Sequence, residues 1–243
     1  MKKKISNVTL VSVATTEVEA TAKALKYSQE GLDFDRVILL SHYNPVPDAD
    51  YYEHIKIKSF NDVGEWGEFI VFELHKYIET DHIILIHADG FIVNPDKWND
   101  DFLEYDYIGA PWPIPKDSYS YRDFYGNIIR CGNSVSLRSK KILSLPSELR
   151  LKWEEADHGY FHEDGFLSVQ NRHILQEHGI KYAPLSISVY FSREKTIKEN
   201  KDIEPFLFHQ WSGKNKIYPC FGEKKGLKYK KKRLIKRLKA KYA

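Results

Sequence analysis

Residues 82–86 read His-Ile-Ile-Leu-Ile, a nearly continuous apolar run that stops at once on His87-Ala88-Asp89-Gly90. A run this short and this apolar is a strand buried on both faces, and such strands belong to parallel sheets covered by helices on either side. Its polar end then falls at the carboxyl edge of the sheet, where open α/β folds take their ligands. The preceding residues supply the alternation that such a sheet needs. Residues 8–14 (VTLVSVA) and 36–41 (RVILLS) read as buried strands, and 52–58 as a third strand of alternating polarity. Residues 18–28 and 62–79 read as helices, the second with Phe69, Phe72, Leu74, Tyr77 and Ile78 available for an inner face. Strands and helices alternating over the first hundred residues predict an open, doubly wound α/β sheet. The second half is less regular. Strands are expected at 105–112, 133–138 and 187–191, a short helix at 139–145, and a helix over 162–179 ending on Gly179, a residue suited to the left-handed position after a helix.

The 243 residues are enough for one substantial core, and no internal repeat or Ser/Gly-rich linker divides them. Charge does divide them. Residues 224–243 hold 11 Lys/Arg and no acid, leaving 26 basic against 34 acidic residues in the rest, a net of −8. The expected organisation is therefore a catalytic domain over 1–223 and a basic tail over 224–243. In the tail, Leu227, Leu234, Ile235, Leu238 and Tyr242 recur at helical spacing, the pattern of a cationic amphipathic helix lying on an anionic membrane surface. A solvated tail and a nucleic-acid contact are the other readings. The acidic body carries no recognised nucleic-acid motif, so no nucleic-acid partner is expected. Cys131 and Cys220, far apart, make neither a disulfide framework nor a zinc site, which fits a reducing compartment. The start of the chain lacks the apolar core of a signal peptide, and no apolar stretch approaches the ~18 residues that span a bilayer. The expectation is a cytoplasmic protein, peripheral on the inner face of the cell membrane through its tail.

Four short segments can carry chemistry. His87 and Asp89, two residues apart at a strand end, point to the same side. A carboxylate there can hold Mg²⁺ or Mn²⁺ against a diphosphate, or can simply cap the turn before Gly90. Gly132-Asn133, leading into an apolar–polar strand, can offer backbone N–H groups and an amide to a sugar, or can be an ordinary turn. Glu163-Asp164 follows Gly159-Tyr160-Phe161 and His162 at the start of a helix. Either acid can serve as a general base or favour the helix dipole, and the pair can divide deprotonation and orientation between them. His209, between Phe208 and Gln210-Trp211, reads as a core histidine or as a metal ligand.

Taken in order, HADGFIVNP, FLEYDYIGAPW, CGNSVSLRSKKIL, HEDGF and PFLFHQWSG resemble, over roughly residues 80–213, a bacterial and viral family of glycosyltransferase-like domains, whose YDYIGAPW string is matched completely at 105–112. That family is similar to glycosyltransferases of the GT-A fold, which implies a GT-A-like (Rossmann-type) open mixed sheet flanked by helices, ahead of the basic C-terminal helix or tail. By the resemblance, Asp89 is the metal-binding acid of a DxD-like triplet, with His87 where its first Asp stands. Gly132 and Asn133 belong to the loop beside the donor sugar, with Asn133-Ser134-Val135 replacing the family's Asn-Gly-Gly. Asp164 with Glu163 matches the acceptor-side base, and His209 the C-terminal metal ligand. Trp112, Tyr107 and Trp211 are candidate stacking walls for the substrate, with a place in the core as the other reading of Trp112 and Tyr107.

The implied activity is metal-assisted transfer of a sugar from a nucleotide-diphosphate sugar to a glycan or lipid-linked glycan. A divalent cation (Mn²⁺ or Mg²⁺) is implied as cofactor and an Asp as the base of an inverting displacement. A catalytically inactive GT-A-like carbohydrate-binding module is the alternative, supported by His87. A nucleotidyltransferase ranks below both, because no Gly-rich, Lys/Arg-bearing phosphate loop follows the first strand.

Overall fold

A computed structural model describes residues 2–155 and 162–222. The tail over 224–243, and the Gly159-Tyr160-Phe161 approach to the acid pair, lie outside the described residues. Six strands form one sheet in the order β3-β2-β1-β4-β6-β5. They are β1 (Lys3–Val13), β2 (Leu32–Ser41), β3 (Glu53–Lys56), β4 (His82–Leu85), β5 (Tyr107–Pro111) and β6 (Cys131–Ser139). β1 pairs in parallel with β2 and β4, and β2 in parallel with β3. β6 runs antiparallel to both β4 and β5. The fold is thus a Rossmann-type open mixed sheet.

Period-two burial explains why both faces are dry. Leu10, Leu39, Ile84 and Ile86 face one layer, built on α1 (Val18–Ser28) and the aromatic segments Phe91–Phe102 and Phe206–Phe208. Val11, Val13, Ile38, Leu40, Ile83 and Leu85 face the other, under α2 (Val63–Phe72) and α3 (Lys140–Glu148). The helix expected over 62–79 stops at Phe72 and continues as a 3₁₀ turn, Leu74–Tyr77. Its buried side is Ile70, Val71 and Leu74, while Phe69 and Tyr77 are only partly covered. Among the described residues no helix is long and apolar enough to cross a membrane.

Two expectations change in the second half. The helix over 162–179 is broken into α4 (Glu163–Gly165), a π-type turn (Phe166–Gln170) and α5 (Arg172–Glu177), after which Gly179 takes φ +79° as expected. The strand expected at 187–191 is instead α6 (Leu185–Phe191). Pro184 precedes its first turn, and Phe191 turns inward onto Phe102 at 5.3 Å between ring centres. That packing outweighs the β-like pattern of the segment. Two short strands, β7 (Ser192–Arg193) and β8 (Leu207–Phe208), pair beyond it.

The strand order fixes where a site can form. The chain leaves β1 toward β2 and β3 on one side, and β4 lies on the other, so the order reverses between β1 and β4. Ligands of open α/β sheets bind in the crevice at such a reversal.

Candidate functional site

A cleft of about 910 Å³ opens at that crevice. Its floor is the carboxyl ends of β1 (Ser12–Thr15) and β4 (His87–Asp89). Because β6 is antiparallel to β4, with Ser136 opposite Leu85, its beginning at Asn133-Ser134 arrives at the same edge. The end of β5 pairs with the start of β6, and so delivers Trp112. His87, Asp89, Trp112, Asn133, Glu163, Asp164 and His209 all line this one space, although they are spread over more than a hundred residues of chain.

Asp89 and His209 are brought together by backbone pairing. Phe208 N–H donates to the Phe91 carbonyl (3.2 Å) and Gln210 N–H to the Asp89 carbonyl (2.7 Å), with Gln210 at φ +64°. His209 Nε2 then stands 3.7 Å from Asp89 Oδ1. Gly90 makes this approach possible, since a Cβ there would lie 2.6 Å from Val135 Cγ2 and 2.8 Å from His209 Cδ2. A divalent cation bonded to both groups at roughly 2.1 Å sets its ligands about 3–4 Å apart, which the observed separation meets. Among the described residues no group of three or more His, Cys, Asp and Glu is placed to hold a metal ion. The donor pair instead suits a cation whose other ligands are substrate phosphate and water, as is usual for Mg²⁺. His209 Nδ1 is buried without a hydrogen-bond partner, leaving the edge toward Asp89 as the ring's polar side.

His87 is wedged between the Trp66 ring (5.3 Å, edge-on) and the His209 ring (5.8 Å). Burial, assisted by His209, pushes its pKa down to about 3, so it is a neutral imidazole at physiological pH. Trp66 is held in turn by its indole N–H on the Val13 carbonyl (2.9 Å).

The loop at the start of β6 owes its shape to close packing. A Cβ on Gly132 would lie 2.0 Å from the Trp112 ring, and one on Gly109 2.0 Å from the Gly132 carbonyl oxygen. Only glycines let these strands and the indole meet. Asn133 takes φ +113°, its side-chain oxygen accepting from Val135 N–H (2.9 Å). Tyr107 is a core residue, not a stacking wall: it is 2% exposed and its hydroxyl donates to the Asn133 carbonyl (2.7 Å). Trp112 does line the cleft, stacked on Tyr121 at 4.5 Å. Trp211 packs on Phe208 (6.0 Å), donates to the Pro219 carbonyl (2.9 Å) and does not border the cleft.

The two acids differ. Glu163 is 4% exposed and meets the fully buried Arg138, Nη2 to Oε1 at 3.0 Å. Burial raises its pKa to about 7, with Asp164 adding to the rise and Arg138 opposing it. Asp164 is the more open of the pair, and its Oδ1 accepts the Gly165 N–H (2.8 Å). Arg138 was not singled out from the sequence, where it is one polar residue of a strand. Its Nε donates to Ser136 Oγ (2.9 Å) and its Nη2 also to the Ser134 carbonyl (3.3 Å), so it ties the β6 loop to the acid pair.

Backbone strain gathers here. Six non-glycine residues among those described have positive φ, and four of them line the cleft: Glu17, Tyr121, Asn133 and Gln210. Such outliers persist where the surrounding structure over-determines them, as it does at ligand sites.

A family model described as a protein of unknown function (DUF5672) matches residues 54–209, from β3 to the cleft histidine. Among curated proteins nothing matches the chain. Among solved structures the chain is similar to the bifunctional IspDF from Campylobacter jejuni, at 11% identity and a TM-score of 0.43. That alignment covers 72% of this chain and 48% of the other, so the chain spans about half the length of that structure.

Proposed function

The chain belongs to the DUF5672 family, and from that premise we propose that it is a glycosyltransferase using a nucleotide-diphosphate sugar, a divalent cation and a glycan or lipid-linked glycan acceptor. The observation that carries the reading is the meeting of the Asp89–His209 pair and Asp164 in one cleft at the reversal of the sheet.

Asp89 and His209 would hold Mn²⁺ or Mg²⁺, and when bound the ion would supply Lewis-acid neutralisation of the diphosphate. The residues of the chain account for the rest. The Gly132–Asn133 loop and Trp112 form the wall beside the donor sugar. Asp164 accepts the proton of an acceptor hydroxyl as that oxygen bonds to the anomeric carbon. The bond from that carbon to the phosphate oxygen breaks, and its electron pair leaves on the nucleoside diphosphate. Direct displacement inverts the anomeric centre. Glu163, turned onto Arg138, orients the acid pair and is not the base. The basic tail fits an anionic membrane surface that carries the acceptor.

One observation favours a second reading, a carbohydrate-binding module without catalysis: a neutral His87 occupies the place of a second acid. Both readings are tested by incubating the protein and Asp164→Asn with a panel of UDP-, GDP- and CDP-sugars, Mn²⁺ and oligosaccharide acceptors. Transfer with inverted stereochemistry, at least about a hundredfold slower in Asp164→Asn, is expected for loss of a general base. Retained stereochemistry would remove Asp164 from that role. Saccharide binding without turnover of any donor would select the binding module.

A further inference from the structure

Among the described residues, the exposed apolar side chains are unevenly placed. Five of the ten large ones lie between residues 114 and 128, with Ile114 at 63%, Phe124 at 72% and Tyr125 at 66% exposure. The segment is not a slack loop. Asp117 accepts the N–H groups of Tyr119 and Ser120, and Asp123 those of Tyr125 and Asn127. Arg122 donates back to the Ser118 carbonyl and forward to that of Gly126, and an isolated bridge joins Arg122 to Ile128. The turn is thus built by its own polar groups while its apolar side chains face water, an arrangement that costs free energy unless something covers them. At its base, Tyr121 stacks on Trp112 in the cleft wall, and near its tip Phe124 stacks on His173 at 4.5 Å.

The last described residues lie beside the same cleft. Phe221 packs on Tyr27 and Phe91, at 5.6 and 5.2 Å. A Cβ on Gly222 would lie 2.8 Å from Glu17 Oε1, and Glu17 lines the cleft. The described chain therefore ends at the rim of the same cleft that the aromatic turn borders, and the sequence over 224–243 is strongly basic, with 11 Lys/Arg and no acid. In the turn both acids, Asp117 and Asp123, are engaged by backbone N–H groups, and Lys116 is exposed.

We propose that the turn over 114–128 inserts Ile114, Phe124 and Tyr125 into the headgroup region of an anionic bilayer. Together with the basic segment beyond Gly222, it would hold the mouth of the cleft against that surface. Aromatic and aliphatic side chains beside cations are the combination that binds membrane interfaces, apolar burial adding to attraction for anionic lipid. The inference deepens the membrane-facing part of the proposed function and rests on it for the identity of the acceptor surface. It gives the internal hydrogen bonds of the turn a role: a preformed wedge loses little conformational freedom on insertion.

The test is co-sedimentation of the full chain with vesicles of phosphatidylcholine containing a third phosphatidylglycerol, at low and high salt, against Ile114→Ser/Phe124→Ser/Tyr125→Ser. The substituted side chains are exposed, and an unchanged melting temperature checks that the variant folds. The native protein should keep part of its binding at high salt, where charge attraction is screened. The variant should bind at least about tenfold more weakly and lose the salt-resistant part, given the apolar area removed. Equal binding by variant and native protein overturns the proposal, as does native protein that ignores the vesicles. Unchanged vesicle binding with loss of transfer to a soluble oligosaccharide would assign the turn to a glycan instead. Nucleotide binding is a separate readout: vesicle binding that depends on the 114–128 turn, with no nucleotide response, would sink sugar transfer and leave the membrane contact standing.

Discussion

Replacing Arg138 by Met removes the cation that joins the β6 loop to the acid pair, and its cost follows from burial. Arg138 is 0% and Glu163 4% exposed, so the substitution leaves a carboxyl group without its partner in the interior. It also removes the donors to Ser136 Oγ and the Ser134 carbonyl. At pH 8, where Glu163 is largely ionised, breaking the buried pair from one side costs about 3–5 kcal/mol. For a domain of this size that lowers Tm by roughly 6–20 °C. The double change Arg138→Met/Glu163→Leu leaves no charge to desolvate and should regain most of the loss. pH supplies an independent check. Glu163 has its pKa raised from 4.5 to about 7 in the folded protein. The folded state therefore holds this proton more tightly than the unfolded chain. The stability it contributes is fully present below about pH 4.5 and is lost as pH rises through about 7. Across that interval the loss amounts to about 3 kcal/mol, and Glu163→Gln should abolish it. Urea unfolding followed by Trp fluorescence at pH 5 and pH 8 measures both effects. A cost under about 1 kcal/mol for Arg138→Met, or no regain in the double variant, would refute a buried, mutually dependent pair.

Two shorter predictions concern the cleft and the tail. Gly90→Ala pushes a methyl group against Val135 and His209, so the ring must move from Asp89. Metal-dependent nucleotide binding should fall at least about tenfold by calorimetry while the fold survives, a displacement of this kind being worth about 1–3 kcal/mol. Unaltered binding would separate His209 from the cation. Deleting residues 224–243 should release the protein from anionic liposomes at low salt, since each basic residue near such a surface contributes on the order of 1 kcal/mol. Undiminished binding would place the membrane contact wholly elsewhere.

What the sequence revealed depended on whether a residue's role is local. The run at 82–86 and its polar end could be placed at the ligand edge because a strand's burial and direction are written in its own neighbours. The β1–β4 reversal was not legible, because alternation of strands and helices does not fix the order in which the strands pair. Asp89 and His209 are 120 positions apart, and the resemblance, not periodicity, linked them; the chain then joins them through the Gln210 N–H bond to the Asp89 carbonyl. Arg138 was illegible because nothing local marks an arginine in a strand as buried. Its partner arrives 25 residues later by way of α4. Residues 187–191 misled because their pattern fits a strand, and only the seat for Phe191 beside Phe102 decides for a helix. Trp211 misled in another way, and Tyr107 was left open between wall and core: composition says that an aromatic ring is present but not which way it faces.

The central claim is that Asp89 and His209 hold a cation that binds a nucleotide diphosphate in this cleft. A thermal-shift screen of UDP, GDP, CDP and their sugars, with and without Mn²⁺, on the native protein and Asp89→Ala measures it most directly. Stabilisation by one nucleotide that requires both Mn²⁺ and Asp89 is the predicted result. No shift with any nucleotide, or a shift that Asp89→Ala keeps, would contradict the account and leave Asp89 as the cap of a strand end.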